Sequence, residues 1–526
     1  DRLNMSEFQQ VVRVVGLDRK SGESYREYVG RIRDKHGVVV SNEALMEAAF
    51  GESRKEIESD LIFSGHEAAL NKLNRLHFSI DTKELALENQ DESKIYRLSF
   101  QRLRSLNYEM KRKFERIKHL LDTYTEEKDP NVMEALSGAL HDFYLVEDGT
   151  RVPRIVYAEP GHQINLPELY PITPQWIMDQ TEPMIMEEIW IDDLIPSGVV
   201  DLLQLHLKKN YRRLLNHKRY DLEVLSKVRD FKTLVNLLYV THLGKKMGIF
   251  TRLDPVLSFP LGANSISIMD AVLAYHTIMT GHYYPVSDMI FTDMVPIITK
   301  IVDREGETIW DYEPRAKRIL TSRVSGLVSE ILRMVIQEGT ARTAKNAIRL
   351  STEMENERLH IPIPSFGKTG TANRFTNSSF VGFIPGPQKD SGQLDIQEGY
   401  VLASYVGYDD NRPMKGENVT IYGASGALPI WIETTNALIN SHEYKGNLQV
   451  ADLVFDDHSV PKMNNEGLRP IMISPTTGLP LWPEGENITG NAVRVLSDVD
   501  FPKDTLKLNR VFEPITGVGY ERKTEH

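Results

Sequence analysis

The clearest hydrophobic pattern in the chain is a helical stripe within a strongly basic segment. Between about Ser93 and Asp122, apolar residues recur at spacings of three and four, which places them on one face of an α-helix. The stripe consists of Tyr96, Phe100, Leu103, Leu106, Met110, Phe114, Ile117 and Leu121. The intervening residues are largely Lys and Arg. They predict either a solvated basic face or a docking helix for an acidic partner or a membrane surface.

The pattern changes twice along the chain and predicts three regions. These are a charged, mostly helical N-terminal region (1–138), a mixed α/β region (139–445) and a small β-rich C-terminal appendage (446–526). The second region opens with two strand-like runs in residues 142–157, joined around Asp148-Gly149, which is a hairpin signal. Further on, residues 385–398 predict an exposed loop between two strands.

Composition excludes several classes of function. The chain has 526 residues and no cysteine, so thiol catalysis, disulfides and Cys-ligated metals are excluded. A net charge of −12 argues against a nucleic-acid partner. No apolar run is long enough to span a bilayer. Scattered histidines without a metal-ligand spacing predict no metal and no cofactor. Because the chain begins at Asp1 without a leader, we expect a processed or truncated product whose membrane anchor preceded it.

The strongest chemical signal is the heptapeptide "SFGKTGT" at 365–371, which contains Lys368, Thr369, Gly370 and Thr371. On a strand edge, such a segment places backbone N–H groups, a cationic side chain and hydroxyls beside an acyl substrate. Acyl transfer also needs an activated nucleophile, a base and donors aimed at the oxyanion. The triplet therefore predicts a substrate-binding edge and leaves the nucleophile to be found.

The surrounding segments resemble the transpeptidase domain of the penicillin-binding proteins, especially the bifunctional type. The resemblance rests on "GKTGTANRFTNSSFVGFIP", "YVLASYVGYDDNRPMKG" and "YGASGALPIW", and on the upstream "LSFPLGANSISIMDAVLAYHTIMTGHYYP" and "RILTSRVSGLVSEILRMVIQEGTARTA". It runs from roughly 142 to 440. It implies the α/β (α+β) fold shared with serine β-lactamases, in which an antiparallel sheet is flanked by helices.

The resemblance implies three catalytic motifs in the order S-x-x-K, S-x-N and K-T-G, and two of them are degenerate here. After the hairpin, Pro160-Gly161 match the context of the first motif, but His162 stands for its serine and Asn165 for its lysine. The best register for the second motif is Val228-Arg229-Asp230, and an alternative is Asp230-Phe231-Lys232. Neither register contains the serine. His162 would need a basic partner to act, and Asn165 cannot serve as one.

Other serines fit the expected order poorly. The literal S-x-x-K strings, Ser365–Lys368 and Ser459–Lys462, lie in or after the K-T-G strand, and the S-x-N string at Ser105–Asn107 lies in the basic helix. Ser197 and Ser226 are conceivable nucleophiles, but neither has a lysine three residues later. The motifs of a bifunctional relative's glycosyltransferase domain are not visible in 1–138.

Three functions fit these residues. The first is an inactive transpeptidase-like scaffold that holds protein partners in the bacterial envelope. The second is an active D,D-transpeptidase or carboxypeptidase with an unrecognised serine. The third is a module that binds the peptidoglycan stem peptide without cleaving it, using Lys368 and Thr371 for a carboxylate. All three predict a periplasmic or extracytoplasmic location, with the membrane reached only through a segment outside this chain.

Overall fold

The computed structural model describes a defined set of residues. These are 3–64, 72–73, 75–79, 98–146, 154–158, 169–179, 184–285, 298–354, 357–388, 391–416, 419–448, 469–473, 480–481 and 493–497. They form two compact units, one made mainly of Asp1–Val235 and the other mainly of Asn236–Ile471. The predicted boundaries at 138 and 445 stay predictions.

The first unit is mostly helical, with a small sheet. Its helices are α1 (Met5–Val14), α2 (Tyr25–Gly30), α3 (Asn42–Ser64), α4 (Phe100–Glu127), α5 (Pro130–Ala139), α6 (Pro174–Met178), α7 (Ser197–Leu215) and α8 (Leu222–Leu225), with α9 (Arg229–Lys246) containing the boundary between the units. Its strands are β1 (Phe143–Val146), β2 (Arg154–Tyr157), β3 (Leu169–Pro171), β4 (Trp190–Ile191) and β5 (Ile195–Pro196).

Helix α4 carries the apolar stripe that the sequence predicts. Among the stripe residues, Phe100, Leu103, Leu106, Met110 and Ile117 are buried. The helix begins at Phe100 rather than near 93, and it continues to Glu127. Residues 93–97 lie outside the described residues.

The basic residues of α4 do not form one uniform solvated face. Arg102 is buried and forms an ion pair with Asp192 at 2.6 Å. Lys111 pairs with Asp201, and Lys113 pairs with Asp142. A second set, Arg104, Arg112, Arg116 and Lys118, is exposed. Part of the charge therefore forms ion pairs within the unit, and the second set is fully available to solvent or a partner.

The two strands predicted for the hairpin, β1 and β2, are neighbours in a five-stranded sheet with the order β3-β1-β2-β4-β5, while the predicted turn at Asp148-Gly149 lies outside the described residues. β1 and β2 pair antiparallel with Phe143 opposite Tyr157, and these two buried rings lie 5.2 Å apart between centroids. β2 pairs with β4 in parallel, while the other pairs are antiparallel.

The second unit combines a long antiparallel sheet with helices. Its helices are α10 (Ile268–Thr280), α11 (Ser322–Gln337), α12 (Ala427–Ile439) and α13 (His442–Lys445). Its strands are β6 (His282–Tyr283), β7 (Lys300–Val302), β8 (Thr308–Asp311), β9 (Lys317–Arg318), β10 (Arg349–Met354), β11 (Glu357–Pro362), β12 (Phe366–Thr371), β13 (Asn377–Pro387) and β14 (Leu394–Gly407).

The main sheet of this unit has the order β12-β13-β14 and helices on both faces. On one face, Phe366 and Phe383 stack at 4.9 Å and pack with Met279 of α10 and Leu332 of α11. On the other face, Phe380 packs against Trp431 of α12, with ring centroids 4.8 Å apart. The expected α/β fold, an antiparallel sheet flanked by helices, is confirmed.

The loop predicted at 385–398 is shorter than expected. β13 continues to Pro387 and β14 begins at Leu394, and these two residues lie opposite each other in the ladder. Residues 385–387 are buried and belong to the packed sheet. The connection is therefore limited to the residues between Pro387 and Leu394.

The C-terminal part contains strands β15 (Arg469–Ile473), β16 (Pro480–Leu481) and β17 (Val493–Ser497), which form a three-stranded sheet with β15 in the middle. The predicted β-rich appendage at 446–526 stays a prediction. None of the described helices is both long enough and apolar enough to cross a lipid bilayer.

Candidate functional site

The K-T-G residues lie on an edge strand. Within the described part of the chain, β12 pairs with β13 alone, with Lys368 opposite Val381 and Gly370 opposite Ser379. An edge strand presents unpaired backbone donors and acceptors, to which an extended peptide can add. Lys368 and Thr371 are exposed, while Thr369 and Gly370 are half-buried. Of the four predicted binding residues, two are therefore fully accessible to a ligand and two are partly accessible.

The ammonium of Lys368 is hydrogen-bonded to the next residue of its own strand. Its Nζ donates to the carbonyl oxygen of Thr369 at 2.8 Å and to the Thr369 hydroxyl at 3.3 Å. The Thr369 hydroxyl also lies 2.6 Å from the hydroxyl of Thr340, which belongs to the "EGTA" turn after α11. Alternation along a strand puts Thr369 and Thr371 on the same side, about 7 Å apart. The ammonium and two hydroxyls thus gather at one end of the edge.

Thr371 is tied to the turn before α12. Its Oγ1 accepts a hydrogen bond from the Gly423 amide at 2.9 Å, so its own O–H proton is available to a ligand. Glycine is required at 423, because an added Cβ would lie 2.8 Å from the carbonyl oxygen of Gly370. An added Cβ at Gly370 would lie 2.3 Å from the Ser379 hydroxyl. Small residues therefore let the turn and the sheet approach the edge strand closely.

Ser378 fixes this arrangement, and motif analysis did not identify it. Helix α12 begins after Gly426, which has no side chain to cap the first amides. Ser378, fully buried on β13, takes that role: its Oγ accepts from the Ala427 amide at 2.9 Å and donates to the Tyr422 carbonyl at 3.0 Å. The sequence feature that indicates such a residue is the glycine at the start of the predicted helix. A helix that begins after glycine needs a capping group from elsewhere in the chain.

The positions matched to the second motif lie around the start of α9. Val228 is buried, with 1% of its surface exposed, and Asp230 is exposed in the first turn. In the alternative register, Phe231 is buried with its ring 6.4 Å from that of Phe8, and Lys232 is half-buried. The assignment of these positions to S-x-N stays a prediction.

His162 and Asn165, matched to the first motif, lie outside the described residues, as does Ser459. Of the other candidate serines, Ser197 is completely buried and donates to the Asn107 side chain at 2.7 Å. Ser226 donates to the Glu223 carbonyl at 3.1 Å. Both hydroxyls are thus used within the first unit.

The titratable groups of the site give no sign of a metal centre. Within the described ranges, no three His, Cys, Asp or Glu side chains come together as a metal-binding group. What the edge offers is a cation, hydroxyl donors and unpaired strand backbone, which together suit an extended peptide with an anionic end.

Comparison with known proteins finds several penicillin-binding proteins among the relatives of this chain. Penicillin-binding protein 1A of Aquifex aeolicus (strain VF5) is 27% identical over 246 residues, which cover 44% of this chain and 28% of that protein. Penicillin-binding protein 1A of Neisseria gonorrhoeae is 26% identical over 201 residues, covering 37% of this chain and 21% of the relative. For penicillin-binding protein 1A of Neisseria lactamica the identity is 26% over 213 residues, with 40% and 22% covered.

The matched region thus covers less than a third of each of these relatives. No family model matches the chain. The relatives support the penicillin-binding-protein transpeptidase-like domain that the motifs around Lys368 predicted.

Proposed function

We propose that this chain, which carries a penicillin-binding-protein transpeptidase-like domain, serves peptidoglycan synthesis in the cell envelope by binding rather than by acyl transfer. Its location is extracytoplasmic, where peptidoglycan is made. The domain keeps the ligand-binding edge of the fold and lacks the serines that would perform the chemistry. Fold alone does not establish activity, so the proposal rests on the residues of the site.

The observation that carries the proposal is the contrast between the K-T-G strand and the second motif. Lys368 and Thr371 are exposed on an edge strand, with the Thr371 hydroxyl positioned by Gly423. At the position that the sequence matches to the S-x-N serine, Val228 is buried and its side chain has no proton to transfer. A binding edge whose matched second motif offers no proton-transfer group supports recognition without turnover.

The ligand that fits this edge is the peptidoglycan stem peptide. An extended peptide adding to the outer edge of β12 would gain backbone hydrogen bonds, as in other cases of strand addition. Its terminal carboxylate would accept from the Lys368 ammonium and the Thr371 hydroxyl, and such charge-assisted bonds are among the stronger ones in proteins.

Calorimetric titration with a peptide ending in D-Ala-D-Ala tests the proposal. The wild-type chain should show saturable heat, and Lys368→Ala should lose it because the carboxylate loses its cation. Lys300→Ala is the matched control, since Lys300 is an exposed strand lysine of the same unit and should leave binding unchanged. No saturable heat from the wild type would remove peptide binding and leave scaffolding among envelope proteins as the role.

An active D,D-transpeptidase or carboxypeptidase is the alternative, and it requires a reachable serine. The burial of Ser197 and its hydrogen bond to Asn107 speak against that residue. Labelling with a fluorescent penicillin separates the two functions, because only an activated serine forms the acyl adduct. Substitution of a labelled serine would then identify the nucleophile.

A further inference from the structure

A cluster of cations in the first unit surrounds a single carboxylate. Glu52 of α3 accepts from Lys55 at 2.9 Å and lies 2.8 Å from the ammonium of Lys227. Arg213 of α7 lies 3.9 Å from the same carboxylate. Burial raises the pKa of Glu52, but the hydrogen bonds from Lys227 and Lys55 outweigh it and hold the pKa below its usual value. One negative charge is therefore shared among three positive ones.

A fourth cation, Lys232, interacts electrostatically with Lys55, Lys227 and Glu52 of this cluster. It lies on α9, one turn after Val228, and is half-buried. In the described part of the chain, no carboxylate lies within ion-pair distance of its ammonium. Burial lowers its pKa, and Lys55, Lys227 and Arg54 lower it further, with Glu52 acting in the opposite direction. A half-buried ammonium repelled by its neighbours costs folding free energy unless an anion accompanies it.

A further acid on α3, Glu56, does not relieve this excess. Glu56, one turn along α3 from Glu52, lies 2.6 Å from the His206 ring and 3.9 Å from the Lys209 ammonium. Because Glu56 has cations of its own, it cannot neutralise Lys232. The cluster of Lys55, Arg213, Lys227 and Lys232 therefore retains an excess of positive charge in a chain that is negative as a whole.

We propose that the cluster of Lys55, Lys227, Lys232 and Arg213 around Glu52 is a binding site for a phosphate group. A phosphate carries up to two negative charges and several acceptor oxygens, which matches an excess of several ammonium groups better than a single carboxylate does. The cations come from helices α3, α7 and α9 and from the turn before α9, so the site is built by the fold rather than by one segment. The phosphate can come from free inorganic phosphate or from a lipid headgroup, and the experiment distinguishes these sources.

Thermal unfolding of the full chain, in chloride and in inorganic phosphate at equal ionic strength, tests the site. The variant is Lys232→Met, which keeps the aliphatic packing and removes the charge. The matched control is Lys208→Met, since Lys208 is an exposed lysine of α7 in the same unit. In the wild type, phosphate at ten times its dissociation constant should raise the Tm by roughly 3–6 °C.

The site is identified by two effects of Lys232→Met on the Tm: a rise in chloride and the loss of the further rise that phosphate causes. In chloride, Lys232→Met should unfold at a higher temperature than the wild type, because the repulsion is gone. In phosphate it should show no further rise, while Lys208→Met should follow the wild type in both buffers. A destabilised variant in chloride, or an equal phosphate effect in Lys232→Met and the wild type, would overturn the proposal.

Sedimentation with lipid vesicles assigns the source of the phosphate. If the ligand is a lipid headgroup, the wild type should sediment with vesicles containing phosphatidylglycerol, and Lys232→Met should bind them several-fold more weakly. If it is free phosphate, neither protein should sediment, although the phosphate effect on Tm persists. No phosphate effect and no sedimentation of the wild type would refute the site.

Discussion

Replacing Ser378 by alanine should loosen the turn that supports the K-T-G strand. The hydroxyl accepts from the Ala427 amide at 2.9 Å and donates to the Tyr422 carbonyl at 3.0 Å, in a fully buried position. Without it, the first amide of α12 loses its cap and the segment leading to Gly423 loses its anchor on β13.

The expected loss of stability follows from the hydrogen bonds that each partner of Ser378 retains after the substitution. The Tyr422 carbonyl still accepts from the Ser425 and Gly426 amides, at 3.0 and 2.8 Å, so its loss is small. The Ala427 amide is left buried without an acceptor, which costs about 1–3 kcal/mol. We therefore expect Ser378→Ala to destabilise this region by about 2 kcal/mol, a factor of about 30 in its opening equilibrium.

Hydrogen–deuterium exchange of peptides covering 420–431 measures that opening directly. Ser379→Ala is the control, because Ser379 is the next residue on the same strand, points to the other face and is only half-buried. It should change exchange by less than a factor of about three, as surface substitutions usually do. Equal exchange in the two variants would refute the assigned role of Ser378.

Three further substitutions test other parts of the structure. Arg102→Met should destabilise the first unit by about 3–5 kcal/mol in urea unfolding, because it leaves the Asp192 carboxylate buried without its 2.6 Å partner; the exposed Arg104→Met should be nearly neutral. Burial raises the pKa of Asp270, but hydrogen bonds from a threonine hydroxyl and two backbone amides hold it below its usual 3.8. Its contribution to stability is thus present above pH 3.8 and lost as pH falls through the folded value, and Asp270→Asn should flatten that acid limb of a stability–pH profile. Gly423→Ala should weaken peptide binding in the same titration as Lys368→Ala, because the new Cβ would lie 2.8 Å from the backbone carbonyl oxygen of Gly370 on the binding strand.

The sequence predicted the features that repeat along the chain. The spacing of apolar residues located α4 and its buried face, since burial of one face is what such spacing reflects. The order of the motifs located the three-stranded sheet and its flanking helices. The start of α4 was wrong by several residues, because apolar spacing does not encode where a helix begins.

Contacts between distant segments could not be predicted in this way. Ser378 caps a helix that begins 49 residues later, and Arg102 pairs with a carboxylate 90 residues away. Lys232 is one more lysine in the sequence, and only the fold brings its charge within electrostatic reach of Lys55 and Lys227. Each of these depends on tertiary packing, which a local pattern does not contain.

The absence of acyl transfer is the central claim, and the intact mass of the chain after incubation with a penicillin tests it most directly. The account predicts an unchanged mass at a penicillin concentration and time that fully acylate an active penicillin-binding protein run in parallel. Mutation of Lys368 should make no difference to that result. A single stoichiometric adduct on a serine of the wild-type chain would contradict the account and establish an active acyltransferase.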